Sequence, residues 1–112
     1  MAKALMLAWA NAASEESESE FNAWYEGTHI PQVRAAIPSI SAVYRYRVAD
    51  LPPEAAPGAP AHRYLAVYEI DSDDVPGAAA ALGAAMTGGR LDMTAAMDVT
   101  ADPPQVQWYQ AV

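Results

Sequence analysis

Residues 3–10, KALMLAWA, are an apolar run in which Leu5, Leu7 and Trp9 alternate with Met6 and Ala8. A short run that is apolar at both parities predicts a strand buried on both faces. The polar stretch NAASEESESE ends it, and the rhythm then becomes helical, with Phe21, Trp24, Tyr25 and Thr28 on one face. Ser14 or Ser17 can cap this helix, Ser17 in a capping box with Glu20. Glu15, Glu16, Glu18 and Glu20 suit the positive end of the helix dipole and read as a solvated first turn. Asn22 is expected on the solvated side of the helix.

Alternation returns at 41–49, with Tyr44, Tyr46 and Val48 on one face and Val43, Arg45 and Arg47 on the other. It returns again at 63–70, where Tyr64, Ala66, Tyr68 and Ile70 oppose Leu65, Val67 and Glu69. The segment DLPPEAAPGAP between them carries four prolines and a glycine, and predicts an exposed connection between strands. Asp73 or Asp74 can cap a second helix, Pro76 fits its first turn, and Gly88 or Gly89 can end it. Residues 90–102 show no clear rhythm beyond a short turn around MTAAM, and QVQWYQAV reads as a last strand.

The order β-α-β-β-α-β predicts an α+β fold of ferredoxin-like type, a four-stranded antiparallel sheet with both helices on one face, in one domain spanning 1–112. Both parities of the strands carry large apolar side chains, although two helices cover only one face. The uncovered face is therefore expected to meet a second copy, making a homodimeric α+β barrel.

Composition narrows the chemistry. With no cysteine, disulfides, thiolate metal sites and a cysteine nucleophile are excluded, and two histidines argue against a histidine-rich metal site. A net charge of −8 with only six Lys and Arg argues against nucleic acid and anionic membranes. No stretch approaches the roughly 20 apolar residues of a membrane span. Lys3, the run from Ala4 to Ala10 and the Ala10-x-Ala12 pair imitate a short signal peptide. The strand reading of the same run is preferred, which points to the cytoplasm.

The densest candidate chemistry lies in WYEGTHIPQVRAAIP, 24–38. Gly27 is a natural helix stop, Thr28 can cap a second short helix, and Pro31 then falls where no N–H is needed. His29 would sit in the first turn of that helix. A positive helix end and burial beside Trp24 and Tyr25 both disfavour the imidazolium, unless Glu26 reaches the ring to oppose them. A neutral imidazole can act as a general base or donate a hydrogen bond to a developing oxyanion. Trp24 and Tyr25 could form an aromatic wall. One of Arg45 and Arg47 could face the helices and pair with an anionic substrate or with Glu69. Tyr44, Tyr46, Tyr64 and Tyr68 are expected to make an aromatic sheet surface, as an interface or a cavity lining. His62 reads as a surface residue, and TGGRLDM as a helix stop without a phosphate-loop pattern.

The segment EFNAWYEGTHIPQVRAAIPSI, followed by YRYR, resembles the EthD-like dimeric α/β-barrel family. Trp24, Tyr25, His29 and Pro31 match its W-Y-x-x-x-H-x-P segment, and Ile37-Pro38-Ser39 its proline-centred turn. Gly27-Thr28 stands where many relatives carry an acidic pair. The resemblance implies a cofactor-free protein with a pocket between sheet and helices, lined by His29. It implies an enzyme acting on an aromatic or polyketide-like small molecule by dehydration, cyclisation or isomerisation. His29 would be catalytic, and Trp24, Tyr25, Arg45, Tyr46 and Tyr68 would bind substrate. The alternatives are a cofactor-free monooxygenase and a non-catalytic ligand-binding dimer.

Overall fold

A computed structural model describes residues 2–55, 58 and 60–112. Strand β1 (Ala4–Ala10) is followed by helix α1 (Glu18–Trp24), a wide π turn (Tyr25–His29) and helix α2 (Ile30–Ala36). Strands β2 (Ile40–Arg47) and β3 (Tyr64–Ile70), helix α3 (Val75–Thr87) and strand β4 (Gln105–Gln110) complete the order. The sheet runs β2-β3-β1-β4 with every neighbouring pair antiparallel. This is the expected α+β, ferredoxin-like arrangement.

The first helix does not stop at Gly27. Residues 18–36 form one rod, because the Ile30 N–H bonds to the Tyr25 carbonyl five residues back and the ladder restarts beyond it. Pro31 thereby falls in the first turn of α2, where its missing N–H interrupts nothing. The expected hinge of two helices is thus a single helix with a π bulge, the form such insertions usually take. At its start Ser17 makes no side-chain cap; Ser14 instead bonds to the Ser17 N–H and hydroxyl. The acidic first turn is not solvated throughout. Glu18 accepts from the Tyr64 hydroxyl at 2.6 Å and pairs with Arg63 at 3.3 Å. Asn22 is half-buried, with Nδ2 3.5 Å from the Tyr64 hydroxyl. Asp74, rather than Asp73, caps α3 by accepting from the Gly77 N–H at 3.0 Å, and a Cβ at Gly77 would collide with that carboxylate. Gly89, at φ +70, then turns the chain away.

Pairing register assigns the two faces. Ala4, Met6, Ala10, Ala66, Tyr68 and Ile70 are buried against Phe21, Tyr25, Val33, Ile37 and Ala78, so both helices lie on that side. A shift of register between Ile40 and Ala42 lets Ile40 enter the core while Val43 and Arg45 also point toward the helices. Leu5, Leu7, Trp9, Tyr44, Tyr46, Leu65, Val67 and Tyr109 share the opposite face, which no helix covers. The four strand tyrosines therefore do not form one surface: Tyr44 and Tyr46 are exposed on the open face, while Tyr64 and Tyr68 lie under the helices.

Residues 90–102 are tied down on both sides. The Ala13 N–H bonds to the Ala96 carbonyl at 2.6 Å and the Asp98 N–H to the Asn11 carbonyl at 2.9 Å, with Ala96 and Met97 buried. The exposed Asp98 carboxylate accepts from the Thr100, Ala101 and Asp102 N–H groups, which hold its pKa below the ordinary range. His62 is buried, not superficial, and its Nε2 lies 2.8 Å from the Pro103 carbonyl, joining the approach to β3 to the approach to β4. Among the described residues no helix is long and apolar enough to cross a membrane.

Candidate active site

The π turn decides what surrounds His29. An α-helix advances about 100° per residue, so side chains five apart diverge by roughly 140°. The wider turn brings Trp24 and His29 onto one side, stacked with centroids 4.6 Å apart and planes 23° from parallel. Tyr25 meets the same ring edge-on at 4.9 Å. Trp24 is itself anchored, donating Nε1–H to the Asp92 carbonyl at 3.0 Å. Gln32 exchanges two further hydrogen bonds with Asp92, at 2.8 and 2.7 Å. The helix thus holds the segment carrying Leu91 and Met93 across the end of the core.

His29 lines a cavity of about 130 Å³ between the helix side of the sheet, α2, α3 and the 91–97 segment. Tyr25 and Tyr68 share its wall, and the rest is apolar, including Met6, Met86, Met93 and Met97. The His29 Nδ1 is enclosed without a partner, so Nε2 is the nitrogen a ligand can reach. Burial, and secondarily the Arg45 cation, push the His29 pKa down from the ordinary 6.5 to about 4. The ring is therefore neutral at pH 7, as expected; of the two expected causes burial acts, whereas the helix-end field does not, because His29 lies within a continuous helix. Glu26 does not oppose the shift, since its carboxylate turns to Arg45 at 3.6 Å.

Arg45 points toward the helices, as one of the two arginines was expected to. Its guanidinium carbon sits 4.3 Å from the Tyr25 ring centre and 5.4 and 5.6 Å from those of Tyr64 and Phe21. This is a cation–π cage. It neither lines the cavity nor meets Glu69, which pairs with Leu5 and Ala42 and so lies on the opposite face of the sheet. Its Nη2 and the Tyr68 hydroxyl are buried without hydrogen-bond partners. The Tyr68 hydroxyl lies near that of Tyr25 but lacks hydrogen-bond geometry, and burial pushes both phenols' pKa values up. Both tyrosines stay protonated at any ordinary pH.

Of the residues expected to form a site, His29, Tyr25 and Tyr68 line the cavity and Trp24 backs His29. Arg45 stands outside the wall, and Tyr46, 55 % exposed, is on the far face of the sheet, because strand parity separates it from Arg45. Sequence reading missed the methionines: the four that follow Met1 in the chain all line this one cavity. Scattered over β1, α3 and the 90s segment, they share no spacing that could have revealed it. A larger groove of about 420 Å³ lies elsewhere, beside Asn11, Glu15, Glu18, Arg63 and Asp98. There the Glu18 and Arg63 charges already satisfy each other. Among the described residues no three His, Cys, Asp or Glu side chains group as a metal ion would need.

No family model matches this sequence, and no curated protein does. Solved structures do. An EthD-like protein from Ralstonia eutropha JMP134 superposes with a TM-score of 0.56 at 17% identity, over 98% of this chain and 93% of that one. HapK from Hahella chejuensis gives 0.53 at 12% identity, over 97% and 92%. A dimeric ferredoxin-like protein of unknown function from Jannaschia sp. CCS1 gives 0.51 at 16%, over 96% and 98%. The chain has the fold of the EthD-like, ferredoxin-like proteins, and at these identities the likeness is one of fold.

Proposed function

We propose that this chain, with the fold of the EthD-like proteins, is a cofactor-independent enzyme that moves a proton on a hydrophobic small molecule, with His29 as the acting group. The observation that carries this reading is a neutral imidazole on the wall of a largely apolar cavity, with Nδ1 enclosed and Nε2 left as the nitrogen a ligand can reach. A site that excludes water strengthens each polar contact within it. Through Nε2 the ring can polarise a carbonyl as a donor, or take a proton from the adjacent carbon. With its pKa pushed down to about 4 the ring is a weak base that stays neutral, which suits it best to donate a hydrogen bond to a carbonyl oxygen as that oxygen gains charge in isomerisation, dehydration or cyclisation. Tyr25 and Tyr68 supply aromatic walls, and Trp24 fixes the plane of the ring.

The direct test is hydrogen exchange. Enolisable ketones incubated with the protein in D₂O should gain deuterium beside the carbonyl, followed by proton NMR. His29→Gln should lower the protein-dependent rate by about 10²–10⁴-fold, the usual contribution of a positioned acid–base group. Equal exchange by that folded variant would remove His29 from the chemistry. Oxygen consumption without exchange would favour the monooxygenase alternative.

We also read the open sheet face as a homodimer interface. Leu7 lies near its centre, on β1 between Val67 and Gln107, and Tyr44, Tyr46 and Tyr109 are exposed on the same face. Leu7→Lys should shift the sedimentation mass from twice that of the chain to one chain. A wild-type monomer at micromolar concentration would overturn this. The run that imitates a signal peptide is β1, with a strand on each side. Its cleavage would remove the middle of the sheet, so this run serves the fold and not export.

A further inference from the structure

We infer that the cavity beside His29 is a single-ring site: it takes one uncharged six-membered carbocycle bearing a carbonyl or phenolic oxygen, and the rest of the substrate stays at a mouth formed by Met86 and Met93. This rests on the proton-transfer reading of His29 and adds the substrate class.

Size is the first ground. A volume of about 130 Å³ is close to that of the dry, apolar cavity of about 150 Å³ known to accept benzene in another protein. It falls well below the roughly 300 Å³ at which drug-sized ligands are usually enclosed. A second fused ring therefore requires the walls to move. The direction of entry is the second ground. Met6 and Met97 line the closed end, 2 % and 8 % exposed, whereas Met86 and Met93 line the same cavity at 61 % and 62 %. Unbranched thioether side chains at the exposed end can fold over a ring or swing aside. Charge is the third. No acidic or basic side chain joins the neutral His29 in the cavity wall, and the Arg45 cation is held in its aromatic cage with Glu26. A carboxylate buried there would find no counter-charge.

Isothermal titration with 4-methylphenol, 2-naphthol and 4-hydroxybenzoate tests each ground. Wild-type protein should bind 4-methylphenol at least tenfold more tightly than either of the others. Met97→Ala, which opens the closed end, should raise 2-naphthol affinity at least tenfold. Leu82→Ala, also in the wall, serves the same purpose should Met97→Ala fail to fold. Equal wild-type affinity for 2-naphthol or 4-hydroxybenzoate, or no binding of 4-methylphenol, would overturn the single-ring site. The two readings fail separately. Tight 4-methylphenol binding with no ketone exchange would end the proton-transfer reading and leave the site standing. His29-dependent exchange of 2-tetralone at the rate of cyclohexanone would do the reverse.

Discussion

Lowering the pH from 6.5 to 4 is expected to cost the folded chain about 3 kcal/mol through His29 alone, at 1.36 kcal/mol per pKa unit. The unfolded chain protonates this ring at the ordinary 6.5, whereas the folded chain holds it near 4. Between those values the unfolded state binds the extra proton, so stability rises with pH there. The full contribution is present above 6.5 and is lost as pH falls toward 4. Burial supplies the larger part, because the Nδ1 is enclosed without a partner, and the caged Arg45 cation adds to it. Urea unfolding at pH 7, 5.5 and 4 measures the effect. His29→Gln should lose stability less steeply than wild type, the two curves converging by about 3 kcal/mol at pH 4. Parallel curves would show that the ring titrates normally in the fold.

Phe21→Ala should destabilise the protein by about 3–5 kcal/mol, the usual cost of emptying a buried aromatic position. Phe21 is 0 % exposed and lies 5.3 Å from Tyr64, 5.6 Å from Tyr25 and 6.4 Å from Trp24 between ring centres. It also forms one wall of the Arg45 cage at 5.6 Å. Its removal leaves a void and loosens the two aromatics against His29. Phe21→Leu, which refills part of the volume, should recover much of the loss. Denaturant midpoints with unchanged slopes would measure this, and a loss below about 1 kcal/mol would mean the helix collapses onto the sheet without it.

Much of the site was written in local pattern. Phe21, Trp24 and Tyr25 lie within about one helical turn, so their meeting follows from spacing along a single element, whereas His29 joins Trp24 only through the π turn. Strands β2 and β3 followed from alternation, since period two is visible in eight residues. The break at Gly27 was misplaced because a proline signals only that its own N–H is missing. Whether the chain ends its helix or widens one turn depends on what the next turns bury, here Val33 and Ile37.

The sequence by itself determined the strands, the helical regions and an apolar sheet face without a cover. These depend on neighbours in the chain and on parity. Only the tertiary structure decided which parity faces the helices, and so sent Tyr68 into the cavity and Tyr46 to the far side. It placed Arg45 behind Tyr25, buried His62, and collected Met6, Met86, Met93 and Met97 from three separate segments around one ring-sized space. Strand register and helix packing make those choices by minimising exposed apolar surface over the whole fold, a sum that no single stretch contains.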